Sequence, residues 1–170
     1  MPDRNSKRKQ WPVPPHLHFG DKDQVNLDNQ FGFILSRTEY LVRKRLLARM
    51  RENGFEVAKE EMVLLARLYE EDGLTQTDIS ERTVKNKATV TRLLESMVRK
   101  GLVRKKVDKD DARKYRVYLK ARGMKAMEVF LPMVFDFMER VTEDIPRRDM
   151  EITTATIKKI YERVLSGQTP

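Results

Sequence analysis

The chain contains no cysteine among its 170 residues. That excludes a disulfide framework, a thiolate metal site and a cysteine-based redox sensor, and it agrees with a reducing cytoplasm. Histidine occurs only at His16 and His18, so histidine acid–base catalysis is all but excluded, and two such residues without further ligands do not make a metal site. No run approaches the roughly 18 apolar residues of a membrane span. The first twenty residues are charged and proline-rich and lack the apolar centre of a secretory signal. A nucleophile–base motif, a glycine-rich phosphate loop and a metal-spaced His/Asp/Glu cluster are also missing. These absences argue against an enzyme, call for no cofactor and no metal, and lead us to expect a cytoplasmic protein.

What the chain has instead is positive charge in one place. Charged residues make up 36%, and the net charge is +9, which points to a polyanion: nucleic acid or an anionic membrane surface. Between Lys85 and Arg116 there are 12 Lys/Arg against 4 Asp/Glu, so nearly all the net charge lies in that stretch. Duplex DNA binds largely through phosphate neutralisation and counterion release, so this is the footprint expected of a DNA reader. A membrane is disfavoured. The apolar groups that would enter lipid (Val90, Leu93, Leu94, Met97) are needed to pack their own helix.

Periodicity organises the rest. Residues 1–22, with Pro12, Pro14 and Pro15 beside Arg4, Lys7, Arg8 and Lys9, read as an extended basic arm. Such an arm is either a solvated tail or a segment that wraps DNA or packs Trp11 on a partner. Helical spacing follows over about 27–51 (Leu27, Phe31, Ile34, Leu35, Leu41, Val42, Leu46, Met50), ending at Asn53-Gly54. A second helix is predicted over about 57–71 and a third over about 76–82. Thr75 is its N-cap, and Asp78 supplies the carboxylate of a capping-box variant. Asn86 caps a fourth helix that stops at Gly101, with Lys87, Ala88, Thr91, Arg92, Glu95 and Arg99 facing outward.

After Gly101 the period turns alternating. LVRKKV and YRVYLK read as strands around the polar loop DKDDARK. Two helices followed by a β-hairpin make the winged form of helix-turn-helix. The final 121–166 stretch is helical again, carries Pro132 inside it, and is interrupted at Pro146. We therefore expect a mainly α fold with a small β-hairpin wing. The expected layout is the arm at 1–22, a dimerisation helix at 23–56, the winged helix-turn-helix lobe at 57–120, and C-terminal dimerisation helices at 121–170.

The run 57–123, with LTQTDISERT, NKATVTRLLESMVRKGLVRK and DKDDARKYRVYLKARG, resembles the MarR family of regulators. The order T-V-T-R-L-L, then K-G-L-V, then D-x-x-D-x-R before a short strand carries the resemblance. Two departures stand out. Ala58 replaces the family's frequent capping Thr, leaving Glu56 as the candidate cap. The turn Thr83-Val84-Lys85 lacks the usual glycine or leucine.

On these grounds the helix that begins at Asn86 enters the major groove. Lys87 can donate to guanine, Ala88 can touch a thymine methyl, Thr89 lies on the same turn, Thr91 can serve a base or a phosphate, and Arg92 a phosphate. Thr75 and Gln76 are placed for phosphate contact through side chain and backbone N–H, so Gln76→Ala is expected to weaken all sequences alike. The resemblance implies that Arg113 enters the minor groove, held by Asp111, although Asp111 also reads as a plain turn residue. Lys109, Lys114 and Arg116 would add phosphate attraction.

The resemblance further implies a homodimer built from the terminal helices and reading a palindrome. It also implies a small aromatic effector, with Phe31, Leu35, Met62 and Phe130 as candidate contacts beside Phe33 and Phe135. Each of these also fits a plain core role. Repression by promoter exclusion is the expected outcome. The competing reading is a winged-helix architectural or protein-interaction module without sequence-specific regulation.

Overall fold

The computed structural model describes residue 28 and residues 30–167. The basic arm, Trp11, His16, His18 and Leu27 lie outside the described residues. The chain divides into two compact units, residues 1–63 and 64–170. No helix among the described residues is long and apolar enough to cross a membrane.

In the first unit, α1 (Phe31–Glu52) buries Leu46 and Met50 near its C-terminal end. Phe33, Ile34, Leu35, Tyr40 and Leu41 in its first half stay exposed. Its stop is the one expected: Gly54 takes a left-handed φ of 81°, and Phe55 N–H reaches back to Met50 O at 3.0 Å. The helix α2 (Lys59–Glu70) starts in this unit. Its cap is not Glu56. The carboxylate of Glu61, itself buried, accepts the Ala58 N–H at 2.8 Å. That is the return half of a capping box, which works without a hydroxyl at position 58.

The second unit contains the rest of α2 with α3 (Gln76–Thr83), α4 (Lys87–Arg99), α5 (Ala121–Val141) and α6 (Arg147–Leu165). Its three strands are β1 (Leu74–Thr75), β2 (Val103–Val107) and β3 (Tyr115–Leu119), forming an antiparallel sheet in the order β1-β3-β2. The expected hairpin is present, in the register Val103↔Leu119 to Val107↔Tyr115. The two-residue β1 was not expected. It pairs Leu74 with Val117 and Thr75 with Arg116, so the sheet leads straight into the cap of α3.

Packing explains this arrangement. Leu65, Leu68, Ile79, Val90, Leu94 and Met97 are fully buried, and Leu102 and Val117 nearly so. Burying each such side chain contributes about 1.5–3 kcal/mol. On α4 the buried positions recur every three or four residues, which leaves the opposite face to polar and basic groups. Gly123 on α5 comes so close to Leu102 that a Cβ there would lie 2.2 Å from the Leu102 carbonyl oxygen. Pro132 lies within a continuous α5; with no N–H it cannot donate back to Glu128. The break before α6 falls at residues 142–146, as Pro146 predicts. The 19-residue α6 has no buried residue, and Ile152, Ile160, Tyr161, Val164 and Leu165 on it are exposed.

Candidate nucleic-acid interface

The site is built on two helix starts and one loop. At the first start, Thr75 and Asp78 form the predicted capping box. Asp78 N–H donates to Thr75 Oγ1 at 3.2 Å, while Thr75 N–H and its hydroxyl donate to Asp78 Oδ2 at 2.8 and 2.7 Å. The Thr75 hydroxyl and backbone hydrogen bonds hold the Asp78 carboxyl below its ordinary value. At the second start, Asn86 Oδ1 accepts Thr89 N–H at 2.8 Å, also as predicted.

The turn between these helices contains a strained residue. Val84 has φ 52° and ψ 43°, the left-handed conformation that a β-branched side chain disfavours. It is the only non-glycine residue with positive φ among those described, and it is 63% exposed. The turn is pinned on both sides of it. Lys85 N–H donates to Ser80 O at 3.0 Å, and the Ser80 hydroxyl donates to Lys85 O.

On α4, Lys87, Ala88 and Arg92 are exposed and Thr89 and Thr91 half-buried. Gln76 is tied to this helix. Its Nε2 donates to Thr91 Oγ1 at 2.5 Å and to Lys87 O at 3.2 Å, while the Thr91 hydroxyl donates to Lys87 O at 2.9 Å. Nothing in the sequence marks this contact, since the two residues stand 15 apart and meet only through the fold.

The wing loop, residues 108–114, is organised by Asp108. Sequence reasoning passed over this residue as part of a polar turn, although an aspartate two and three residues ahead of free N–H groups is a known turn signal. Its carboxylate is only 4% exposed. Its Oδ1 accepts the N–H groups of Asp110 and Asp111 at 2.9 and 3.1 Å, and its Oδ2 accepts Arg116 Nε. Arg116 Nη1 goes on to Gly73 O at 3.1 Å. Arg116, expected to attract phosphate, thus joins the wing loop to the residue before β1, and its side chain also lines the cleft described below. The Asp110 N–H, followed by that of Asp111 and by Arg116, lowers the Asp108 pKa.

Asp111 both binds Arg113 and closes the turn. Its Oδ1 accepts Arg113 Nε and Arg113 N–H, each at 3.1 Å, and its backbone oxygen closes the turn to Lys114 N–H at 2.9 Å. These bonds from Arg113 hold the Asp111 carboxyl below its ordinary value. Lys114 Nζ lies 3.4 Å from its other oxygen. The Arg113 side chain remains 91% exposed, oriented by Asp111 and open to a partner.

A cleft of about 590 Å³ brings Thr75, Gln76, Lys87, Arg113 and Lys114 together. Asn86, Ala88, Thr89, Thr91, Arg92 and Asp111 are not among its lining residues. Of the candidate effector residues, Phe31 is half-buried and Leu35 exposed on α1, Met62 is buried on α2, and Phe130 is half-buried on α5. Among the described residues no group of three or more His, Cys, Asp or Glu is placed to hold a metal ion.

Comparison with known proteins gives relatives in sequence and in fold. Residues 58–115 match the MarR family. The HTH-type transcriptional repressor YetL of Bacillus subtilis is 26% identical over 111 residues, 65% of this chain and 66% of YetL, just under two thirds of that protein. The HTH-type transcriptional regulator TtmR of Methylorubrum extorquens is 26% identical over 153 residues, 89% of this chain and 77% of TtmR. Among solved structures, S. aureus MepR in complex with DNA matches with a TM-score of 0.69 at 23% identity, covering 79% of this chain and 96% of MepR. At that identity the likeness is one of fold.

Proposed function

Residues 58–115 form a MarR-family domain, and from that premise we propose that the chain represses transcription as a homodimer on a palindromic operator. The domain is that of a DNA-binding transcription regulator and not of an enzyme. In this reading α4 lies in the major groove, with Lys87, Ala88, Thr89, Thr91 and Arg92 toward the bases and the strands beside them. Asn86 sets the start of that helix. The beginning of α3 at Thr75 and Gln76 meets phosphate through backbone N–H groups, where the helix dipole favours an anion. Arg113 reaches the minor groove, and Lys114 adds phosphate attraction.

One observation carries the reading. The wing arginine is exposed yet held by Asp111, on the same cleft as the start of α3 and Lys87. An arginine oriented in advance has less conformational entropy to lose when it enters a groove. The exposed apolar side chains of α6 support a dimer, since a helix with no buried residue needs a partner surface. A two-fold dimer would set its recognition helices about 34–36 Å apart, one turn of DNA. Relief by a small aromatic effector belongs to the same proposal and would act by favouring a spacing of the recognition helices that no longer fits the operator.

The test is binding of purified protein to labelled duplex from upstream of its own gene, with random duplex as competitor, across salt. We expect binding that survives the competitor, at one dimer per site, and that Arg113→Ala weakens. Equal, salt-labile binding to both DNAs would leave only phosphate attraction and point to an architectural protein.

A further inference from the structure

The hydrogen bonds between Gln76 and α4 fix which chemistry these side chains can offer. The Gln76 Nε2 faces Lys87 O at 3.2 Å. A carbonyl oxygen only accepts, so the amide cannot be turned over without opposing two oxygens. Both Nε2 hydrogens are then used, one on Lys87 O and one on Thr91 Oγ1. The Thr91 oxygen, receiving the Gln76 proton, sends its own proton to Lys87 O at 2.9 Å. Gln76 Oε1 takes no hydrogen bond among the described residues, and Thr91 Oγ1 keeps a spare lone pair. Toward a ligand the Gln76 amide presents an acceptor, and Thr91 Oγ1 does too while its proton stays on Lys87 O.

That excludes most of what DNA offers. Phosphate oxygens, guanine O6 and N7 and thymine O4 are all acceptors, and none can pair with Gln76 Oε1, nor with Thr91 while its proton stays on Lys87 O. The donors in the major groove are the exocyclic amino groups of adenine (N6) and cytosine (N4). We propose that Gln76 and Thr91 together read one base amino group, as a specificity element beside the donor Lys87. The inference rests on the reading of α4 as the major-groove helix and adds to it. Gln76→Ala is then expected to act at one base pair rather than on all sequences alike.

The experiment starts with the full-length protein selecting its preferred duplex from a randomised library. In that duplex each adenine is replaced singly by purine, and each cytosine by pyrimidin-2-one, which removes only the amino group. We expect one position per half-site where removal weakens wild-type binding about tenfold, and whether it is an adenine or a cytosine names the base. At that position Thr91→Val should bind both duplexes equally, and Thr91→Ser, which keeps the hydroxyl, should discriminate as wild type does. Comparing variants on the same DNA cancels any effect of the analogue on duplex stability. If no single amino group matters, or if Thr91→Val discriminates as wild type does, the proposal is wrong while the regulator reading stands. If wild type selects no sequence at all, the regulator reading falls first and this one falls with it.

Discussion

Replacing Gly123 by alanine should destabilise the protein, against the usual rule for helices. In an ordinary helix interior this change stabilises by about 1 kcal/mol, because glycine has more backbone freedom to lose. At Gly123 the new Cβ would lie 2.2 Å from Leu102 O, well inside the 3.4 Å at which ordinary contact begins. Backbone, not a flexible side-chain tip, would have to give way. Overpacking of this kind costs about 1–3 kcal/mol. The Leu102 carbonyl also accepts Lys120 N–H at 2.9 Å, and weakening that bond adds about 0.5–1.5 kcal/mol. After the helix gain is deducted, a net loss of about 1–3 kcal/mol remains.

At this chain length a loss of about 2 kcal/mol lowers Tm by about 4–8 °C. Circular-dichroism melts at one fixed protein concentration would measure it, since the Tm of the proposed dimer would depend on concentration. Gly32 on α1 provides the control. A Cβ there meets nothing within 4 Å, so Gly32→Ala should leave Tm unchanged or raise it slightly. If both alanines move Tm in the same direction, the close approach of α5 to Leu102 is not what selects glycine at position 123.

Two further outcomes follow from the helix-turn-helix itself. Val84→Gly should stabilise by about 0.5–1 kcal/mol, because relief of roughly 1–2 kcal/mol of left-handed strain exceeds the entropy that glycine adds to the unfolded chain. A higher urea midpoint at unchanged slope would show this, and a lower midpoint would refute the strain. The Asp78 carboxyl titrates lower in the folded chain than its ordinary 3.8, so its contribution is full above that pH. The contribution shrinks as pH falls from there and is gone below the folded value. Asp78→Asn should therefore reduce stability at neutral pH and remove part of the acid dependence. An unchanged acid limb in the variant would mean that the capping box does not contribute.

Much of what depends on neighbours along the chain was legible in the sequence. Thr75 and Asp78 are three residues apart, Asn86 and Thr89 likewise, and Gly101 follows the last turn of α4, so each cap could be read directly. The wing strands were legible from their alternation. Features that depend on the fold were not. A strand of two residues, Leu74–Thr75, has no period to detect. Gln76 meets Thr91, and Arg116 meets Gly73, only once helices and sheet are in register. The left-handed Val84 contradicts its residue type and is imposed by the Ser80–Lys85 bonds on either side of it. The cap of α2 is made from the far end of the box, by Glu61, so the missing hydroxyl at position 58 does not reveal it.

The tip of the wing loop owes its shape to the Asp108 carboxylate and two backbone amides, and Asp111 closes the turn beyond it. Lys109, Asp110 and Ala112 are exposed, and the Asp108 bonds to Asp110 and Asp111 use main-chain N–H groups, which every residue but proline supplies. The side chains of Lys109 and Ala112 are thus interchangeable as far as these bonds are concerned, while the charge of Asp110 acts on Arg116. Charge can be added to or removed from the tip of the wing without moving Arg113. In the proposed DNA-bound arrangement, a lineage could retune how strongly the protein holds DNA at a given salt concentration through the wing tip, and leave its choice of sequence to α4.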